Sequence, residues 1–127
     1  MPRAQPRPTD AELAILRVLW ERGASTVRQV HEALAGTRET GYTTTLKLMQ
    51  IMTDKGLVKR NETARTHVYS PMAAQEQTER QLVQDLVDRA FGGSAAQLVL
   101  RALGAEGTTD AELTEIRKLI DEYREKR

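Results

Sequence analysis

Cysteine is absent from all 127 residues. That removes disulfide frameworks, thiolate nucleophiles and thiolate metal sites, and it fits a reducing cytoplasm. Aromatic residues are scarce, at 4% of the chain. Any core must therefore be built from Leu, Val, Ile, Met and Ala, which pack well as helices and argue against a large β-sandwich or barrel. No apolar run approaches the roughly 20 residues that cross a bilayer, and the first eight residues lack the apolar stretch of a signal peptide. The expectation is a cytoplasmic protein with no membrane insertion. Catalytic groupings are missing too: there is no nucleophile with its base, no phosphate-cradling glycine loop and no carboxylate pair. His31 falls in a helical stretch and His67 in a strand, neither with Asp, Glu or Cys at ligand spacing. Neither enzymatic activity, a cofactor nor a metal is expected.

What the chain does have is charge, unevenly placed around a formal total of +1. Residues 1–71 hold 11 Lys and Arg against 7 Asp and Glu, a net of +4, whereas residues 72–127 hold 8 against 11, a net of −3. Each cation set beside a phosphate releases condensed counterions, so a basic half attracts a polyanion and an acidic half is repelled. The first half is expected to bind nucleic acid and the second is not.

Residues 1–8 carry three prolines and two arginines and read as a flexible basic arm, with Arg3 and Arg7 available for an extra backbone or minor-groove contact. Thr9-Asp10-Ala11-Glu12 is a capping box that opens a first helix, with Leu13, Leu16, Val18, Leu19 and Trp20 as its buried stripe. Gly23 suits its end, and Ser25 or Thr26 caps a second helix through Val27, Val30, Leu34 and Ala35. After a polar loop from Gly36 to Gly41, a third helix runs from near Thr43 to Lys55, with Gly56 beyond it. Thr45, Leu48, Met49 and Met52 share its inward arc, and Thr43, Lys47, Gln50 and Asp54 the outward one. Leu46 and Ile51 flank that polar face, where branched apolar side chains have no use for water.

Two β-branched runs follow, Leu57 to Arg60 and Thr66 to Ser70, about a polar turn. An isolated hairpin is barely stable in water, so this one must pack on the helices with Lys59, Arg60 and Arg65 projecting beyond the body. Three helices and then a basic hairpin is the order of a winged helix. The expected fold is mainly α with a small β-hairpin: a winged helix-turn-helix over residues 9–71 and a three-helix dimerisation module over residues 72–127. In that module Leu82, Leu86 and Phe91, then Leu98 and Leu100, then Leu113, Ile116 and Ile120 form apolar stripes that so small a unit buries poorly by itself. Self-association as a homodimer is the expected solution.

A helix fits the major groove of double-stranded DNA, where base edges present distinct donors, acceptors and the thymine methyl. Gln50 suits adenine, Lys47 guanine, Leu46 a thymine methyl, and Thr43 or Thr44 a base or a phosphate. Ser25, Thr26, Arg28, Tyr42, Lys59, Arg60 and Arg65 are placed to reach phosphates, which set affinity and register rather than sequence. A dimer with its third helices in successive grooves requires half-sites roughly 34–36 Å apart, hence a pseudo-palindromic operator. Two other readings fit the same pattern: a winged-helix module used for protein contacts, and a regulator that binds a small effector directly within its dimer.

Several segments taken together resemble the penicillinase-repressor (BlaI/MecI/CopY) family: Ala11-Glu12-Leu13 with Val18-Leu19-Trp20, Thr26-Val27-Arg28-Gln29-Val30, Tyr42-Thr43-Thr44-Thr45, Lys55-Gly56-Leu57-Val58 and His67-Val68-Tyr69. The match runs from about Thr9 to the C-terminus and includes Phe91-Gly92-Gly93 and Leu98-Val99-Leu100. The resemblance implies a homodimeric winged-helix repressor of palindromic operators. Its staphylococcal branch implies a membrane metalloprotease sensor, acting itself or through a downstream protease, and a cleavage that maps to Arg101-Ala102. The β-lactam-responsive members carry Asn-Phe there, and basic side chains where this chain has Thr43 and Leu46. The C-terminal Cys motif of the copper-responsive branch has no counterpart in this chain.

Overall fold

The computed structural model describes residues 7–127. In chain order the elements are α1 (Asp10–Arg22), α2 (Val27–Leu34), α3 (Tyr42–Lys55), β1 (Val58–Asn61), β2 (Val68–Pro71), α4 (Gln75–Ala90), α5 (Ala95–Leu103) and α6 (Asp110–Glu125). The chain divides into two compact units, the first ending at Leu82 and the second running Val83–Arg127. The division falls inside α4. Among the described residues, the approach to α4 is tied to the first unit by Trp20 Nε1 donating to the Ala73 carbonyl at 3.0 Å and by Met72 N donating to Leu57 O at 3.0 Å.

In the first unit α1 starts at the expected box: Glu12 N donates to Thr9 Oγ1 at 3.2 Å and Thr9 N donates to Glu12 Oε1 at 2.9 Å. A second box, Thr26 with Gln29, opens α2. Both satisfy first-turn amides that a helix leaves without partners. The core joins Ile15, Leu16 and Leu19 of α1, Val27, Val30 and Leu34 of α2, Met49 and Met52 of α3, and Leu57, Val58 and Tyr69 around the hairpin. Ile15, outside the expected stripe, is buried, whereas Leu13 is half-buried.

The antiparallel hairpin pairs Val58 with Pro71, Lys59 with Ser70, Arg60 with Tyr69 and Asn61 with Val68. Its first strand starts one residue later than the β-branched run suggests. Gly56, at φ 81°, closes α3 in the left-handed conformation, and Leu57 N turns back to Met52 O at 2.9 Å, so Leu57 finishes the helix before the strand begins. The second strand begins at Val68, which leaves Thr66 and His67 in the tip loop. Ser25 is used differently from a cap: it exchanges both backbone hydrogen bonds with Tyr69, at 3.0 and 2.8 Å. The α1–α2 connection thus adds a bridge to the hairpin edge and anchors the wing to the body.

In the second unit α5 and α6 have no buried residue, and Val87 is the one buried side chain among its described residues. Val83, Leu86, Leu100, Leu119, Ile120 and Tyr123 are all exposed. Ser94 caps α5, and Thr109 with Glu112 forms the capping box of α6. These helices have well-formed starts without an interior of their own.

Candidate nucleic-acid interface

Local sequence sets the helix-turn-helix. Between the Thr26 box and the Gly56 closure, α3 presents Thr43, Thr44, Lys47 and Gln50 to solvent, while Thr45, Met49 and Met52 point into the core. Leu46 is half-buried against the core and Ile51 is 39% exposed. The outward arc is therefore polar, with Leu46 at its margin. Gly41 opens α3 without a side-chain cap, in contrast to the starts of α1 and α2.

Tyr42, the first residue of α3, stands between two side chains of α2. Arg28 Cζ lies 5.6 Å from the Tyr42 ring centroid, and the His31 ring meets it edge-on, centroids 5.9 Å apart at 84°. Beside this stack is a cleft of about 460 Å³ between the helix-turn-helix and the wing. Thr26 and Arg28 come to it from α2 and its cap, Tyr42 and Leu46 from α3, and Arg65 and His67 from the wing tip. The cleft brings together five of the residues singled out for DNA contact, supplied by three segments far apart in sequence. Lys59 is exposed on β1, and Asn61 Oδ1 shapes the tip by accepting from Thr63 N at 2.9 Å and Thr63 Oγ1 at 2.8 Å.

Arg60 is engaged within the hairpin. Glu62 Oε1 lies 2.8 Å from Arg60 Nε, and Arg60 pairs with Tyr69 across the ladder. These two partners hold its pKa above the ordinary arginine value. Among the described interactions no such pairing holds Lys59 or Arg65.

A buried carboxylate sets the far end of α3. Glu12 is only 2% exposed, and its Oε1 accepts from Lys55 Nζ at 2.7 Å as well as from Thr9 N. Burial pushes the carboxyl up, but the Lys55 ammonium and the Thr9 amide outweigh it and leave the pKa below the ordinary value of 4.5. The start of α1 is so pinned to the end of α3. The capping box was legible in sequence; its third partner, 43 residues away, was not.

Of the arm, Arg3 lies outside the described residues and Arg7 is exposed. Of the dimerisation residues, Leu86, Leu100, Leu113 and Ile120 are exposed, and Leu82, Phe91, Leu98 and Ile116 half-buried. Ile116, Leu119, Ile120 and Tyr123 line an apolar groove of about 440 Å³ along α6, rimmed by Arg124 and Arg127. Arg101 and Ala102 are exposed but helical, inside α5, so a protease that needs extended backbone must first unwind that segment. Among the described residues no group of three or more His, Asp and Glu is gathered to hold a metal ion, and no helix is long and apolar enough to cross a membrane.

A helix-turn-helix whose third helix is followed by an anchored two-stranded hairpin is a winged-helix domain, here joined to a helical second unit. The family model described as penicillinase repressor matches residues 8–122. The chain is 35% identical over 92 residues to the transcriptional regulator BlaI of Mycobacterium tuberculosis, covering 72% of this chain and 67% of that protein. It is 20% identical over 122 residues to the penicillinase repressor of Bacillus licheniformis, covering 96% and 95%. The solution structure of the Bacillus licheniformis BlaI monomeric form in complex with the blaP half-operator shares the fold. The TM-score is 0.51 at 23% identity, over 57% of this chain and 89% of that one. The chain belongs to the penicillinase repressor family.

Proposed function

We propose that the protein is a DNA-binding transcriptional repressor that acts as a homodimer on a pseudo-palindromic operator. The observation that carries this is the cleft that sets Arg28 and Arg65 on walls from different elements, next to the exposed Thr43, Lys47 and Gln50 of α3. Cations flanking a polar helix face supply the two components a sequence reader needs: phosphate contacts that fix register, and base contacts that discriminate. Relatives named as a transcriptional regulator and a penicillinase repressor, and a neighbour solved on a half-operator, support the same reading.

The homodimer follows from the second unit. Each fully buried Leu or Ile contributes about 1.5–3 kcal/mol relative to exposure, and this unit leaves Leu86, Leu100, Leu113, Leu119 and Ile120 in water. A second copy offering the same stripes buries them by an isologous contact. Separation of the second units, by cleavage within α5 or otherwise, then releases one of the two half-sites and with it most of the operator affinity.

The test is equilibrium binding of the full chain to the duplex upstream of its own gene and to a scrambled duplex of equal composition, over a range of salt. Tighter binding to the first, at a stoichiometry of two chains per duplex, is expected. Equal binding to both duplexes at every salt concentration would remove the repressor reading and favour a winged helix used for protein contacts.

A further inference from the structure

Arg28 and His31 lie three residues apart on α2, hence on one face of that helix, and both meet the single ring of Tyr42 at the start of α3. His31 is half-buried and is not among the residues that line the cleft. Tyr42 and Arg28 are both exposed and both line it. The ring is also the fixture that the first turn of α3 otherwise lacks, because Gly41 supplies no side-chain cap.

We infer that His31 is a positioning residue for DNA binding: by holding the Tyr42 ring edge-on, it keeps the Arg28 guanidinium on that ring, in the cleft whose wing side carries Arg65. The inference rests on the DNA-binding reading and deepens it. A free arginine side chain samples many rotamers, and that freedom is lost when the guanidinium meets a phosphate. A guanidinium already resting on an aromatic face has given up part of it beforehand, so binding costs less. The edge-to-face contact with His31 is the preferred geometry for such ring pairs and restrains the ring that Arg28 rests on. His31 therefore acts on phosphate affinity through two intervening side chains.

The probe is a fluorescent random-sequence duplex long enough for two half-sites, because phosphate contacts act on any sequence. His31→Ala is expected to weaken binding roughly two- to tenfold per half-site, at most the fold-change that corresponds to losing one aromatic contact in each chain. His31→Phe, which retains an edge for Tyr42, is expected to restore binding to within about twofold of the parent. In an Arg28→Ala background, His31→Ala is expected to produce no further loss, since there is no guanidinium left to hold. Thermal melting of each variant accompanies the titrations.

Parent-like binding by His31→Ala overturns the inference, as does a His31→Phe variant as weak as His31→Ala. An undiminished loss in the Arg28→Ala background makes His31 a general support of the fold and overturns the positioning role. Parent-like binding by Arg28→Ala itself removes Arg28 from the interface and this role with it. If the parent chain fails to bind any duplex, the underlying DNA-binding reading falls instead.

Discussion

Replacing Arg65 by Ala takes one guanidinium from the wing side of the cleft without touching the core, since Arg65 is exposed in the tip loop. Each phosphate neutralised contributes about 0.9 to the slope of log affinity against log salt. A dimer carries two copies of Arg65, so the slope should become shallower by roughly 1.8, against about 0.9 for a single chain on a half-site. Between about 50 and 200 mM salt, the affinity ratio of parent to variant should then shrink roughly twelvefold for a dimer and only about 3.5-fold for a single chain. Fluorescence anisotropy across that range measures it. Arg60→Ala provides the internal contrast, because Glu62 already pairs with that guanidinium and its release of counterions on binding is smaller. Its slope change should be less than half that of Arg65→Ala. Parallel salt lines for the parent and Arg65→Ala would refute the placement of this side chain at a phosphate.

The buried Glu12 makes stability depend on acid. Its folded pKa is depressed, so its contribution is present above the ordinary carboxylate value of 4.5 and is lost as pH falls from there through the lowered folded value. Glu12→Gln should lower stability by about 1–3 kcal/mol at neutral pH, and urea melts of parent and variant should converge in that acid window. Leu119→Asp and Ile120→Asp place a charge in the α6 groove; sedimentation should show single chains, with α1–α3 helicity and the melting of the first unit retained. Gln50→Ala should reduce affinity for the cognate duplex by about 1–3 kcal/mol per half-site and leave the scrambled duplex unchanged. Equal losses on both duplexes would make Gln50 a phosphate contact rather than a reader of bases.

The elements themselves were close to the surface of the sequence. Thr9 and Thr109 announce helix starts through boxes that operate over three residues, Thr26 is one of the two caps the sequence offers for α2, and Gly56 marks an end because a left-handed residue closes α3. Such signals are local, so they survive without knowledge of the fold. Strand limits were less legible: Leu57 has a strand former's character, yet its amide is already committed to Met52 when the hairpin begins. Ser25 looked like a cap because a hydroxyl before a helix usually is one, but its backbone pairs with Tyr69, 44 residues on, and Thr26 takes the cap. Arg60 read as one more basic residue of the wing, although the Glu62 that pairs with it lies only two residues on.

Sequence alone determined the periodicities, the caps, the charge division and the family motifs, because each depends on neighbours within a turn or two of chain or on composition. Only the tertiary structure decided which cations gather at one cleft, which carboxylate is buried against Lys55 and which histidine bears on Tyr42. Those facts depend on how α2, α3 and the wing close on one another, and a chain read residue by residue carries no direct record of distances across that closure.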